Sequence, residues 1–167
     1  MTLSLLQRLG RAGFAAAVVL TVAACASPHR TGAALNAPVS DPFAQTSWQL
    51  TQWTLSGGAS RLLPHPPKAQ PLTLAFTHEA GTPRASGFAG CNRYAANYVY
   101  AQGLLIVKAP LSTRMACASA DHSRLEGDYL VALTRIASST IDAAQPTPRR
   151  LTLTTTGGDT LLFERTQ

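Results

Sequence analysis

Apolar and polar residues alternate in several short segments of the chain, and this alternation predicts strands with one buried face. The clearest case is Pro71–Thr77, where Leu72, Leu74 and Phe76 occupy every second position. The pattern also predicts strands over the following segments: Ser47–Leu55, Tyr94–Tyr100, Leu104–Val107, and a C-terminal hairpin in which Leu151, Leu153, Leu161 and Phe163 flank the turn Gly157-Gly158-Asp159.

One segment has the period of a helix instead. Apolar residues recur at three- and four-residue steps from Leu125 to Ile136, which predicts a single apolar stripe. Ser119 is a suitable N-cap and Asp121 places negative charge in the first turn. The helix is expected to end near Ser138-Ser139-Thr140. The elements together predict an α+β fold in which one α-helix covers an antiparallel sheet.

The start of the chain has the pattern of an export signal. Arg8 and Arg11 precede an apolar run, Ala12–Ala24, that is too short to cross a membrane as a helix. The run ends in Val22-Ala23-Ala24-Cys25, which resembles the lipobox of bacterial lipoproteins. We therefore predict a signal peptide over residues 1–24 and acylation of Cys25. Ordinary signal cleavage after Ala26 is the alternative.

The mature chain divides into a tether and one domain. Residues 25–45 carry the lipidated N-terminus and a segment rich in Ala, Pro, Ser and Thr, which predicts a flexible tether. Residues 46–167 have the length of a single domain. Within them, Ser56–Gln70 contains two glycines and three prolines and is predicted to be a loop.

The charge balance argues against nucleic acid as a partner. The whole chain carries a net charge of +6. Loss of Arg8 and Arg11 leaves 12 basic and 8 acidic residues, a net charge of +4. The basic residues are scattered, with no basic run interleaved with aromatic residues. No aspartate follows Cys25 to suggest retention at the inner membrane, so the predicted location is the periplasmic face of the outer membrane.

Cys91 and Cys117 are the two cysteines beyond the leader region. In an oxidising periplasm two such thiols that lie close together are expected to form a disulfide. Two free structural cysteines are an alternative, and a redox pair or a metal site is another. A close Cys-x-x-Cys motif is absent, and the four histidines show no metal-ligand spacing. The sequence therefore predicts no metal and no cofactor.

Four other residues attract attention. Gly87 and Gly90 favour a tight turn or bulge that requires positive φ. Asn92 is expected to bond a nearby backbone group. Glu126 stands one turn before Tyr129, and we expect a helix-surface carboxylate that bonds a loop. No pair of acidic residues is arranged for acid–base catalysis.

Three tyrosines, Tyr94, Tyr98 and Tyr100, form a candidate binding surface. Tyr98 and Tyr100 fall on one face of their predicted strand. Tyrosine suits recognition because its ring is apolar and its hydroxyl is polar. A half-buried face of the sheet would explain the same residues.

Two blocks of sequence carry a family resemblance. They are Gly90-Cys91-Asn92-Arg93-Tyr94 and Thr113-Arg114-Met115-Ala116-Cys117. Their order and spacing, with the flanking strands, resemble the META domain, the family of HslJ-like heat-shock proteins, from Thr46 to Phe163. The resemblance implies a curved, barrel-like antiparallel sheet closed on one side by a helix. It also implies links to stress and to the bacterial envelope, and it transfers no catalytic residue.

The expected function follows from these parts. We predict a non-enzymatic envelope lipoprotein, monomeric and attached to the membrane by lipid, with a META domain that binds or helps assemble an envelope protein partner. A role in the envelope stress response is part of this expectation. The alternative is a carrier of a small molecule or lipid that uses the barrel interior.

Overall fold

The computed structural model describes residues 40–64, 70–142 and 149–166. The predicted leader, Cys25, most of the predicted tether and residues 65–69 of the predicted loop lie outside these ranges. Eight strands and one helix occur in the described part: β1 Thr46–Thr54, β2 Thr73–Glu79, β3 Thr82–Phe88, β4 Arg93–Ala101, β5 Leu104–Ser112, α1 Ala120–Thr134, β6 Ile136–Ile141, β7 Arg150–Thr155 and β8 Thr160–Arg165.

The eight strands form one antiparallel sheet in the order β5-β4-β3-β2-β1-β8-β7-β6. The first strand, β1, pairs with β2 on one side and with the last strand, β8, on the other. The two edge strands, β5 and β6, also contact each other. The sheet therefore curls into a nearly closed barrel, and the predicted α+β fold with one helix is confirmed.

The alternation in β1 shows how the sequence sets the register. Trp48 and Leu50 are two positions apart and both are buried, but the next buried residue, Trp53, is three positions further on. The pairing of β1 with β8 shifts between Leu50 and Gln52. A bulge of this kind adds one residue to a strand, so Trp53 returns to the inner face despite the broken alternation.

The helix covers one end of the barrel. Ser119 caps it as predicted, because its hydroxyl accepts a hydrogen bond from the His122 backbone N–H at 3.3 Å. The inner face of α1 buries Leu125, Tyr129 and Leu133, among other residues. No helix in residues 40–64, 70–142 and 149–166 is long and apolar enough to cross a membrane.

The predicted end of the helix was wrong. Ile136 was placed in the apolar stripe, yet α1 ends at Thr134 and Ile136 begins β6, which pairs with β7. The polar pair Ser138-Ser139 suggested a fading helix. The segment also holds Ile136, Thr140 and Ile141, and β-branched residues of this kind favour strands.

A short turn before β1 covers the other end of the barrel. Phe43 lies inside the predicted tether, but it is 1% exposed and belongs to the core. Its ring centroid lies 5.1 Å from that of Phe76 and 5.3 Å from that of Tyr100. Thr46 accepts a hydrogen bond from the Trp48 indole N–H at 2.7 Å. The folded part therefore begins before Thr46.

Gly87 has a different role from the one predicted. Gly90 has the expected positive φ, +102°, but Gly87 lies in β3, a strand that the sequence pattern missed. A Cβ atom on Gly87 would lie 2.1 Å from the carbonyl oxygen of Thr73. A glycine is needed there because two backbone segments approach each other closely.

We predict that Gly87→Ala lowers the free energy of unfolding by about 1–3 kcal/mol, because the added methyl must displace the backbone of Thr73. The matched control is Gly127→Ala. Gly127 lies in α1, and a Cβ atom there would have no neighbour within 4 Å, so this change should stabilise the protein by about 0.5–1 kcal/mol. Urea unfolding measures both. Equal effects of the two substitutions would contradict the close approach at Gly87.

Candidate functional site

The helix end of the barrel contains a buried carboxylate, Glu126, which is 9% exposed. Its Oε2 atom accepts two hydrogen bonds from Asn92, one from the backbone N–H at 2.8 Å and one from the side-chain amide at 3.0 Å. A carboxylate is costly to bury without such partners. These bonds therefore attach α1 to the loop between β3 and β4.

The same asparagine holds a third segment. Asn92 Oδ1 accepts hydrogen bonds from the Thr113 hydroxyl and from the Met115 N–H, each at 2.9 Å. Its amide also donates to the Met115 carbonyl at 3.2 Å. Asn92 thus joins the β3–β4 loop, the segment between β5 and α1, and α1 itself. The predicted bond of Asn92 to a local backbone group was wrong, because the backbone partner of its side chain is Met115, 23 positions away.

Cys91 and Cys117 form a disulfide between the same two loops, with 5.5 Å between their Cα atoms. They are 26 positions apart. Closing a loop of that length stabilises a fold by about 3–4 kcal/mol in the chain-entropy model. The disulfide and Asn92 therefore hold the start of α1 in one place by covalent and polar bonds together.

The predicted tyrosine surface is not exposed. Tyr94 and Tyr98 are 3% and 1% exposed, and Tyr100 is partly buried against the core. The alternation that placed these residues on one face of β4 was correct, but that face points into the barrel. Tyr98 donates its hydroxyl proton to Asp41. The three residues therefore fill the interior and do not form a binding surface.

Two buried phenols meet at one carbonyl. Tyr94 and Tyr129 both donate to the backbone oxygen of Thr73, at 2.9 and 3.2 Å. Burial raises the pKa of Tyr94 well above its usual value, and Tyr129 beside it raises that pKa further. Burial also raises the pKa of Tyr129 and of Tyr98. All three phenols are therefore neutral in the folded protein at ordinary pH.

An open cleft of about 330 Å³ lies along the outer side of α1. Arg61 forms an ion pair with Asp128 of α1, and its guanidinium lies 4.6 Å from the ring centroid of Trp53. Asp159, in the turn between β7 and β8, accepts a hydrogen bond from the Trp53 indole N–H at 3.0 Å. These contacts connect the loop after β1, the helix α1 and the β7–β8 turn at the base of the cleft.

Arg135 lines the same cleft at the C-terminal end of α1. Its side chain is exposed, and no residue of the described ranges forms a hydrogen bond or an ion pair with its guanidinium. Val131, one turn earlier, is 47% exposed. Within the described residues, the cleft therefore offers an unpaired positive charge next to an apolar side chain.

A second open cleft, of about 410 Å³, shares Arg61 with the first. Leu62, which is 91% exposed, lines it together with His122 and Leu125 near the start of α1. We call the two clefts together the α1 groove. Its residues come from β1, the loop after β1, α1 and the β7–β8 turn, so sequence reasoning could not assemble it. The sequence signal for it was the spacing of Arg124 and Asp128, which stand four positions apart on the outer face of the helix.

A family model and one solved structure support this fold. The family model of the META domain matches residues 41–167. The NMR structure of a protein from Burkholderia xenovorans is 35% identical, with a TM-score of 0.67, over 76% of this chain and 89% of that chain. A second NMR structure is 22% identical, with a TM-score of 0.48, over 72% of this chain and 88% of that chain. No curated protein sequence shows significant similarity to this one.

The fold defines a class of small antiparallel barrels, nearly closed and covered at one end by a single helix. Within that class, the chain belongs to the META domain family, because the family model covers almost all of the folded part. The resemblance seen in the two cysteine-containing blocks is confirmed.

The buried tyrosines predict alkaline instability. The phenols of Tyr94, Tyr98 and Tyr129 have a pKa raised above 10.0 in the folded state, whereas in the unfolded chain they ionise near 10. Below that pH both states hold these protons. Above it the unfolded state releases them first, so the free energy of unfolding falls as pH rises.

Phenolate absorbance and near-ultraviolet circular dichroism, recorded together against pH, measure this effect. We expect the phenolates of these three residues to appear together with the loss of the folded-state dichroism. Ionisation of every tyrosine near pH 10 with the fold retained would show that the three phenols are not protected by burial.

Proposed function

We propose that the protein is a non-enzymatic envelope lipoprotein whose META domain binds a protein partner through the α1 groove. The sequence Val22-Ala23-Ala24-Cys25 supports attachment by lipid at Cys25. Two or more acyl chains hold a protein stably at a membrane, because each buried methylene contributes about 0.8 kcal/mol. The domain would then act at the periplasmic face of the outer membrane, in the response of the envelope to stress.

The observation that carries the binding proposal is the composition of the α1 groove. Arg135 supplies a charge with no partner among the described residues, and Val131 and Leu62 supply exposed apolar area beside it. The Arg61–Asp128 ion pair and the Trp53 ring form a fixed base. Protein interfaces combine an apolar centre with a polar rim, and arginine is enriched in them.

Binding of a protein at the outer surface fits the structure better than transport of a small molecule or lipid inside the barrel. The inner face of the described sheet is filled by large side chains, including Trp48, Trp53, Phe76 and Phe163, each 2% exposed or less. A small-molecule site needs a concave space of several hundred Å³. Both clefts of that size described above lie outside the barrel, along α1 and the loop after β1.

Site-specific photo-crosslinking in the cell tests the proposal. A photoreactive residue placed at Val131 of the full chain should give one reproducible crosslinked protein. Arg135→Glu should weaken that crosslink at least several-fold, because it reverses the free charge. Cys25→Ser should also weaken it, because the domain loses its place at the membrane, and labelling with radioactive palmitate checks that this variant lacks the lipid.

The matched control is the same photoreactive residue at Ile106 on β5. Ile106 is 42% exposed, close to the 47% of Val131, but it does not line the α1 groove. The control should give no specific product. The same crosslinks from both positions, or none from Val131, would contradict the groove as the binding surface. An unlabelled wild-type chain in the palmitate experiment would contradict the anchor.

A further inference from the structure

The disulfide and the buried carboxylate lie close together. One ligand atom each from Cys91, Cys117 and Glu126 lies within 4.8 Å of the other two. While the two sulfurs are bonded to each other they have no thiolate to offer a metal. Two thiolates and a carboxylate are a donor set that zinc accepts, with bonds of about 2.3 Å to sulfur and about 2.0–2.2 Å to oxygen.

One carboxylate oxygen of Glu126 has no partner within the part of the chain that the structure describes. Both hydrogen bonds from Asn92 end on Oε2, and no hydrogen bond from the described residues reaches Oε1. The bonds to Oε2 hold the carboxylate in one orientation. Hydrogen bonds of this kind orient metal ligands and raise metal affinity. The carboxylate of Glu126 therefore has a fixed orientation even without a metal ion.

The two cysteines can also reach a shared ion. Their Cα atoms are 5.5 Å apart, and two sulfurs on one tetrahedral zinc lie roughly 3.7 Å apart, given zinc–sulfur bonds of about 2.3 Å. Both side chains are partly exposed, so an ion can enter from solvent. The Asn92 amide lies 3.3 Å from Cys91 Sγ and can donate a hydrogen bond to a thiolate there.

We propose that reduction of the Cys91–Cys117 disulfide creates a site for Zn²⁺ or a similar thiophilic divalent cation. A dithiol reductant transfers two electrons and two protons to the disulfide and becomes a disulfide itself, which leaves two cysteine thiols. The cation displaces both thiol protons to solvent and binds the two thiolates and Glu126. A water molecule completes the tetrahedron.

The metal would replace the disulfide as the bond between the β3–β4 loop and the start of α1. The oxidised and the metal-bound states would then hold the same two segments, while the reduced state without metal would hold them only by non-covalent contacts such as those of Asn92. This makes the site a redox-dependent metal site, and it does not rest on the proposed binding function.

Cobalt(II) titration of the full chain in detergent tests the proposal, because thiolate ligands give Co²⁺ intense charge-transfer absorption. Cys25→Ser forms the background, so that Cys91 and Cys117 are the only cysteines. The protein is reduced, freed of reductant under nitrogen and titrated. We expect one Co²⁺ per chain with a sulfur charge-transfer band, displacement by Zn²⁺, and no such band before reduction.

Glu126→Gln should weaken Co²⁺ binding about tenfold or more, because the amide carries no charge but can still accept hydrogen bonds from Asn92. Glu164→Gln, an exposed change on β8, is the matched control and should bind as the parent does. Far-ultraviolet circular dichroism follows the fold throughout. Absence of the band after reduction, binding only by unfolded protein, or unchanged affinity of Glu126→Gln would each overturn the proposed site.

Discussion

The pair of hydrogen bonds between Asn92 and the buried carboxylate of Glu126 determines where the helix meets the barrel. Hydrogen bonds to a charged group contribute about 1.5–3 kcal/mol, and a buried charge that loses its partner costs more. Asn92 uses its remaining polar atoms on Thr113 and Met115. One residue, through its backbone N–H and its side chain, thus positions the loop after β3, the segment after β5 and α1, and the disulfide adds a covalent link to the same place.

The rest of the helix end depends on that position. With α1 in place, Tyr129 reaches the carbonyl of Thr73, where Tyr94 also donates its hydroxyl. Gly87 leaves the space that this carbonyl needs. On the outer side, Asp128 of the same helix pairs with Arg61 and so shapes the α1 groove. The hydrogen bonds between Asn92 and Glu126 therefore affect both the packing inside the barrel and the shape of the α1 groove.

Much of the fold could be predicted from local pattern, and the candidate site could not. Alternation located most strands and Ser119 marked the start of α1, because these signals depend on neighbours in the chain. The pattern missed β3, whose few apolar residues are Pro83, Ala85 and Phe88, and it misplaced Ile136. Glu126 was predicted to lie on the helix surface and to bond a loop; the bond to a loop forms, but the side chain is buried. Its partner Asn92 stands 34 positions away, and only the folded chain brings the two together.

A double-mutant cycle with Asn92→Ala and Glu126→Ala, measured by urea unfolding with the disulfide intact, tests whether Asn92 and Glu126 act as one unit. Asn92→Ala removes the side-chain amide but keeps the backbone N–H bond to Glu126, whereas Glu126→Ala leaves both donors without their acceptor. The cycle therefore measures the coupling between the Asn92 amide and the Glu126 carboxylate. We predict that the double variant is more stable than the sum of the single effects by about 2–3 kcal/mol. Additivity within about 0.5 kcal/mol would show that the two residues act independently. Their hydrogen bonds would then not determine where α1 meets the barrel.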